Sequence, residues 1–411
     1  MKILMFRPSY YPEISGGTHL GMDLVEDIIN AGHEVILVTP SPWRTDKETR
    51  LKYKNKKVET QYNGRLTIYR VYVSANEKSI FSRALRMLFL TLGMLIRAWK
   101  VKGIDLLMSH SMPVFIGPTS VLFARFKKVP VLYLENDVAS ESLISTGVVQ
   151  KGLKKKVLYS FGKILEKISL KGSNFTITIS DLFRKRNIES GLSKEKIGVI
   201  YNWIDTEKIF PISRDDNYLF DRLNLNRDMF YVTYCGNIGL PQNLEIFIDA
   251  AKDLQHIKEI QFVIIGNGVR KEAIRGYIED SKTTNIKLFP LQPLEEAASV
   301  YSIGDVGIVI GKKGTSKNGF PSKTWTMMAA GQAIISCFDL DSELSKCISD
   351  GKCGIPVQPD SSDELKEAIL EMYNNREFTE QCKVNSREYV TQNYSRKIAT
   401  KKYLEVIERL K

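Results

Sequence analysis

Residues 318–360 read NGFPSKTWTMMAAGQAIISCFDLDSELSKCISDGKCGIPVQPD. A glycine turn leads into Pro321-Ser322-Lys323. A helical pattern then runs over Trp325–Ala330 and stops at Gly331. The apolar run Ala333–Cys337 has the composition of a buried strand. An acidic turn, a short helix capped by Ser342 and a second glycine turn into another strand complete the stretch. This spacing places Lys323 at a helix N-terminus, where unpaired backbone N–H groups and the helix dipole favour an anion. Such a site suits phosphate, and a diphosphate gains further from the lysine.

The same alternation extends outward in both directions. In the first half, strands are predicted over 2–6, 34–39, 104–109, 129–134, 175–179 and 197–201, with helices between most of them, and 65–73 reads as a strand or hairpin arm. The pattern restarts with strands over 231–235, 261–265, 286–289, 306–310, 333–337 and 355–357. Strand–helix alternation of this kind predicts parallel sheets covered by helices on both faces. Residues 206–228 are polar, with Pro211 and several aspartates, and read as a linker. The expected organisation is α/β: a Rossmann-like domain over 1–205, the linker 206–228, a second Rossmann-like domain over 229–385, and a terminal helix within 386–411.

A chain of 411 residues with 43% hydrophobic content supports two packed cores. No apolar run is long enough to span a bilayer, and the N-terminal apolar stretch is too short for a signal peptide, so a cytoplasmic location is expected. The five cysteines form no C-x-x-C pair and have no nearby histidine; they read as reduced packing residues, and no metal site is expected. Charge is uneven. Residues 1–200 hold 32 Lys+Arg against 17 Asp+Glu, while 201–411 hold 27 against 30. A surplus of +15 in the first half calls for an acidic partner: a membrane surface, a lipid diphosphate or nucleic acid. No nucleic-acid-binding motif accompanies the charge.

The order Pro321-Ser322-Lys323, Ala329-Ala330-Gly331, Ser342-Glu343 and Cys353-Gly354 through Asp360 resembles the donor-binding segment of glycosyltransferase family 4. The resemblance is to the branch of colanic-acid-type fucosyltransferases and N-acetyl-L-fucosaminyltransferases. It continues in Tyr10–Gly17, in Ala31-Gly32-His33-Glu34-Val35, in Tyr62-Asn63-Gly64 and in Asn202-Trp203-Ile204-Asp205, and covers nearly the whole chain. It implies the GT-B fold, two Rossmann-like domains facing an interdomain cleft, with the last helix crossing back to the first domain. It also implies transfer with retention of configuration, no cofactor and no metal.

On that basis the donor side comprises Gly16, Gly17, Asn202, Gly236, Asn237, Gly268, Arg270, Gly319, Phe320, Pro321, Ser322, Lys323, Thr326 and Glu343. Lys323 is the main anchor. Arg270 stands at a glycine turn, either as a phosphate contact or at a solvated helix start. His110 ends a strand, where ligands of open α/β sheets bind; the resemblance implies contact with the transferred sugar, against a strand-end histidine held by local hydrogen bonds. Asp137 and Asn318 complete the candidate catalytic group, and Glu135 and Glu141 are candidate acceptor contacts. A helix N-cap cluster is the alternative for these acidic residues. Two family features are missing. Asn318 and Thr326 stand where an E-x7-E pair is usual, and Gly239-Leu240-Pro241-Gln242-Asn243 carries no cation of a diphosphate clamp.

Two basic, amphipathic stretches, 83–102 and 151–171, match helices that lie in a membrane interface, or else a solvated face with a core-facing stripe. The expected function is transfer of a sugar from a nucleotide-diphosphate donor to a polyprenyl-diphosphate-linked glycan, in capsule, O-antigen or exopolysaccharide synthesis, peripherally on the inner face of the cell membrane. A UDP-sugar, with N-acetyl-L-fucosamine as the sugar, is the first expectation for the donor. The alternatives are a non-catalytic nucleotide-sugar-binding subunit and a GT-B nucleotide-sugar epimerase. A hinged, exported sugar-binding protein is disfavoured for want of a signal peptide.

Overall fold

The computed structural model describes residues 1–13, 17–73, 80–138, 140, 153–315 and 320–411. The chain divides into two compact units: Met1–Tyr201 with Thr400–Lys411, and Asn202–Ala399.

Unit 1 is built on an eight-stranded sheet of β1 (Lys2–Phe6), β2 (Glu34–Pro40), β3 (Val58–Gln61), β4 (Leu66–Val71), β5 (Leu106–His110), β6 (Val131–Glu135), β7 (Phe175–Thr178) and β8 (Ile197–Val199). The spatial order is β3-β4-β2-β1-β5-β6-β7-β8. All pairs are parallel except β3 with β4. The central strands β1, β2, β5 and β6 are mostly apolar and buried, as sheets covered on both faces require. Its helices include α1 (Thr18–Asn30), α2 (Lys47–Tyr53), α3 (Ile80–Trp99), α4 (Ile116–Lys127), α5 (Leu153–Gly172) and α6 (Asp181–Glu189). Leu4, Phe6, Ile36, Val38 and Leu107 pack under Met94 and Ala98 of α3 and Phe123 and Ala124 of α4.

Unit 2 has six parallel strands, β9 (Phe230–Asn237), β10 (Ile260–Asn267), β11 (Ile286–Phe289), β12 (Val306–Ile310), β13 (Ala333–Cys337) and β14 (Gly354–Val357), in the order β11-β10-β9-β12-β13-β14. Its helices are α7 (Leu219–Arg222), α8 (Glu245–Leu254), α9 (Lys271–Ser281), α10 (Ala297–Tyr301), α11 (Lys323–Ala329), α12 (Glu343–Asp350), α13 (Ser362–Asn374) and α14 (Arg376–Asn393). A last helix, α15 (Arg396–Arg409), begins in unit 2, and from Thr400 onward the chain belongs to unit 1. All five cysteines are buried and unbridged.

Both sheets reverse direction beside their first strand, between β1 and β5 in unit 1 and between β9 and β12 in unit 2. Doubly wound sheets bind ligands at this switch point, off the carboxyl ends of the strands. The strand ends at Phe6 and His110, and at Asn237 and Ile310, are therefore the places to look.

Two expectations need correction. Residues 206–228 are not a free linker. Leu219 and Phe220 are fully buried and join Leu225, Tyr231, Val300 and Ile303 in one apolar cluster. Asn217 Nδ2 donates to Ser299 O at 2.7 Å, and Arg214 pairs with Asp305. The polar composition hid a few apolar anchors and buried polar groups that are fully bonded. The β3 strand was also missed: its sequence, VETQ, is largely exposed and carries no apolar alternation. Its turn into β4 is built from Tyr62, Asn63 and Gly64, all at positive φ (51, 53 and 88°).

Candidate active site

In unit 2 the carboxyl ends of β9 and β10 run side by side, with Gly236 opposite Gly266 and Asn237 opposite Asn267. The backbones approach so closely that a Cβ on Gly266 would lie 2.2 Å from Gly236 O, and one on Gly268 would lie 2.3 Å from Ile238 O. Gly236 and Gly268 also hold φ of 129 and 156°, which only glycine adopts at little cost. Ile238 N donates to Asn267 O and Arg270 N to Ile238 O, locking the two turns into one ledge.

Lys323 projects onto this ledge. Its Nζ stands 3.7 Å from the centre of the Tyr234 ring, a cation–π contact, and Tyr234 is itself fixed by its hydroxyl donating to Asn237 O at 2.6 Å. Among the described residues no carboxylate pairs with Lys323, and burial pushes its ammonium down to about 7. Lys323 is thus a partly buried lysine beside a glycine ledge. The helix it opens, α11, has seven residues and no side-chain N-cap. Thr326 lies one turn further along α11, on the same side as Lys323.

The approach to Lys323 is stiffened by aromatic rings. Phe320 stacks on Trp325 with centroids 4.3 Å apart, and Trp325 stacks on Tyr394 at 3.8 Å. Trp325 is 1% exposed. Pro321 and Ser322 lie between the stack and the lysine in sequence, so the start of α11 is held by packing. Glu343 opens α12 after the Ser342 cap. Asn202, partly buried, begins unit 2. Asn318 and Gly319 lie outside the described residues.

Arg270 does not serve as expected. It forms a 2.7 Å ion pair with Glu245, which turns its charge into a tie between α8 and α9. A groove of about 970 Å³ in unit 2 lies at the opposite, amino ends of the central strands, around Phe230, Asp305 and Gly331. Two of its three arginines are committed too, Arg214 to Asp305 and Arg387 to the carbonyls of Thr206, Ile209 and Ala329, while Arg376 lies over the rings of Phe230 and Tyr373.

In unit 1 the switch point holds His110, which is 4% exposed. Its Nε2 is 3.2 Å from Arg7 Nη1. Burial first, and the Arg7 charge second, hold the imidazole well below its ordinary value. Gly17 caps α1, and its carbonyl accepts from Arg7 Nη2 at 3.2 Å. Asp137 follows the neighbouring strand β6, with its backbone N–H donating to Ser111 Oγ at 3.2 Å. Its side chain is exposed at the rim, yet desolvation raises its carboxyl above the usual range. His110 and Asp137 thus end adjacent strands. Gly16 and Glu141 lie outside the described residues.

Glu135 is not placed to meet an acceptor. It is 1% exposed; Arg186 donates to Oε1 at 3.0 Å and Asn187 to Oε2 at 2.5 Å. Burial pushes its carboxyl up to about 7, against the pull of Arg186. Glu166 of α5 shares the same guanidinium at 3.6 Å and accepts from Ser140 Oγ at 2.9 Å. This buried cluster ties α5 and α6 to β6. Sequence reasoning missed Arg7, whose signal is a charged residue directly after an apolar strand. It also missed Glu13, whose carboxylate accepts from Trp43 N and Arg44 N and so fixes the loop after β1.

The family model for glycosyltransferase family 4 matches residues 14–208, and that for glycosyl transferases group 1 matches residues 215–389. The chain is a glycosyltransferase. The enzyme is 26% identical to the putative colanic acid biosynthesis glycosyl transferase WcaI of Escherichia coli, over 92% of this chain and 96% of that one. It is 22% identical to a probable glycosyltransferase, WbjE, of Pseudomonas aeruginosa, over 80% and 81% of the two chains. Among solved structures, the glycosyltransferase is similar to a sucrose-phosphate synthase from Thermosynechococcus elongatus, with TM-score 0.75, 15% identity and coverage of 100% and 98%. HepE from Anabaena, solved with UDP, gives TM-score 0.72 at 14% identity with full coverage of both chains. The fold of the enzyme is thus GT-B, two parallel-sheet α/β domains.

Proposed function

We propose that the enzyme transfers a sugar, with retention and without a bound metal, from a nucleotide-diphosphate donor to a lipid-linked glycan of a cell-surface polysaccharide. The observation that carries the donor half is Lys323: an ammonium without a carboxylate partner among the described residues, beside the glycine ledge at the carboxyl end of β9. A departing nucleoside diphosphate gathers negative charge, and a preorganised cation at that point lowers the barrier. Asn202, Gly236, Asn237, Gly268, Phe320 and Thr326 shape the donor site around it, and Glu343 stands in for the family's missing ribose-binding carboxylate. His110, Asp137 and Gly17 act on the unit 1 side. A uridine donor is supported by the UDP and UDP-glucose bound in HepE. A polysaccharide product is supported by the colanic acid relative. A fucose-type sugar rests on the Pro321-Ser322-Lys323 branch resemblance.

The acceptor half is carried by the outer face of unit 1. Phe89, Ile96 and Trp99 of α3, Leu122 and Phe126 of α4, and Val157, Ile164 and Ile168 of α5 are all exposed, Leu122 and Phe126 at 71% each. The three helices adjoin: Trp99 meets Phe126 at 5.1 Å between ring centroids, and Phe115 meets Phe161 at 6.3 Å. Lys100, Arg125, Lys128, Lys156, Lys167 and Lys171 are exposed on the same helices and the turns that end them, while Glu166 points inward. The inner sides of α3 and α4 are already packed on the sheet, so this apolar surface is additional to the core stripe. Rings and aliphatic chains bordered by cations match an anionic bilayer. No described helix is long and apolar enough to cross a membrane, so contact would be peripheral, on the leaflet that displays the acceptor.

The test is a panel of nucleotide sugars offered to purified enzyme with short-chain polyprenyl-diphosphate glycans, with and without a chelator. Transfer from one donor, unaffected by the chelator and giving a retained linkage, supports the reading. An inverted product, or turnover only with added metal, contradicts it.

A further inference from the structure

Arg7 follows β1 and His110 ends β5, the two strands flanking the switch point of unit 1. The 3.2 Å contact between Arg7 Nη1 and His110 Nε2 has one chemical solution. A guanidinium carries donors only, so Nε2 must accept, and the single proton of the ring sits on Nδ1. Protonating Nε2 would set two donors and two cations against each other in a buried site.

The placement of Arg7 is built in. Its guanidinium lies across the first turns of α1, with Nη2 donating to Gly17 O at 3.2 Å and Nε to Ser9 O at 3.5 Å. Gly21 makes the room: a Cβ there would come within 2.1 Å of Arg7 Cζ. Among the described residues no carboxylate pairs with Arg7, so its charge acts on the imidazole without neutralisation. The phenols of Tyr10, from the same loop, and Tyr403, from α15, also face it. Both are buried and pushed to higher pKa, Tyr10 to about 12, so both are neutral at physiological pH.

We propose that Arg7 is the positioning residue of His110: it holds the ring neutral, with its proton on Nδ1, so that His110 meets the substrate as a hydrogen-bond donor and not as a general acid. This rests on His110 acting at the reaction centre. Retaining transfer suits such a group. A neutral Nδ1–H steadies a sugar hydroxyl, while an imidazolium would give up its proton to the departing phosphate.

The experiment is histidine-selective 15N NMR. The chain has four histidines, and His110→Gln identifies the ring of interest. In the wild type, His110 should show a protonated Nδ1 and a bare Nε2 well below the ordinary histidine midpoint near 6.5. Arg7→Met should raise its midpoint and release the tautomer. Gly21→Ala should act similarly by displacing the guanidinium, and Arg7→Lys should restore the wild-type titration in part. In turnover, Arg7→Met should gain an acid limb, falling about tenfold per pH unit, with donor KM little changed. A wild-type His110 that titrates near 6.5 or carries its proton on Nε2 overturns the proposal, as does an Arg7→Met ring identical to wild type. If the NMR result holds but His110→Ala keeps full turnover, the reaction-centre reading of His110 fails instead, and the positioning role falls with it.

Discussion

The Lys323 ammonium stands 3.7 Å above the centre of the Tyr234 ring, and among the described residues it has no carboxylate partner. The ring face supplies weak electrostatic support without neutralising the charge. Burial then holds the free lysine near its midpoint, at about 7. A diphosphate arriving there restores the cation, because an opposite charge favours the protonated form.

Donor affinity should therefore depend on pH in a definite direction. Below about 7 the free lysine is already protonated and this group contributes no slope. Above that value binding must take up a proton, so affinity falls as pH rises. Calorimetry of UDP binding at about pH 8 in buffers of different ionisation enthalpy should show net proton uptake, absent in Lys323→Met. The same depressed value makes the free protein more stable as pH climbs from about 7 toward the unfolded lysine value near 10.4, since the unfolded chain then binds more protons.

The stack of Phe320, Trp325 and Tyr394 predicts a linked loss. Trp325→Ala opens a cavity under α11 and should cost about 3–5 kcal/mol in denaturant unfolding. Because Phe320 loses its platform, UDP affinity should fall in the still-folded variant as well. Lowered stability with unchanged UDP affinity would separate the stack from the donor site.

His110→Ala should lower kcat while the donor dissociation constant stays nearly constant, the signature of a contact made at the reacting centre. Stopped assays for turnover, with equilibrium binding of UDP measured on the same preparation, make the comparison. Equal loss in both would place His110 in donor binding.

Membrane attachment should need both halves of the unit 1 face. Leu122→Ser with Phe126→Ser, and separately Lys154, Lys155 and Lys156 to Glu, should each release the protein from anionic vesicles in sedimentation while UDP still binds. Salt should weaken binding through the lysines, each worth about 1 kcal/mol at most, and leave the apolar part. Failure of the wild type to sediment with anionic vesicles at low salt would favour a soluble acceptor.

Much of this molecule is legible in its sequence because both sheets are parallel and buried. Val306–Ile310 and Ala333–Cys337 are buried, mostly apolar runs, broken in the second only by Ser336, and their bounds agree with the strands in the structure. Lys323 was also legible, since Pro321-Ser322-Lys323 fixes its place at a helix start. Long-range pairing was not. Arg270 looks like a phosphate ligand until Glu245, on another helix, takes its charge. Glu135 looks like an acceptor contact until Arg186 and Asn187 close over it. Arg7 went unnoticed because its value lies in touching His110, a hundred residues away in sequence. Segment 206–228 failed for the same reason: Phe220 and Asn217 are core residues only once β9 and α10 are beside them.

The most direct test is calorimetric titration of UDP and GDP into the wild type and Lys323→Ala at about pH 6.5, with circular dichroism to confirm that both are folded. A charge-assisted contact to the diphosphate predicts a loss of about 1.5–3 kcal/mol in Lys323→Ala, with the nucleoside alone binding both proteins equally. Unchanged nucleoside-diphosphate affinity in folded Lys323→Ala would contradict the assignment of this ledge as the donor site.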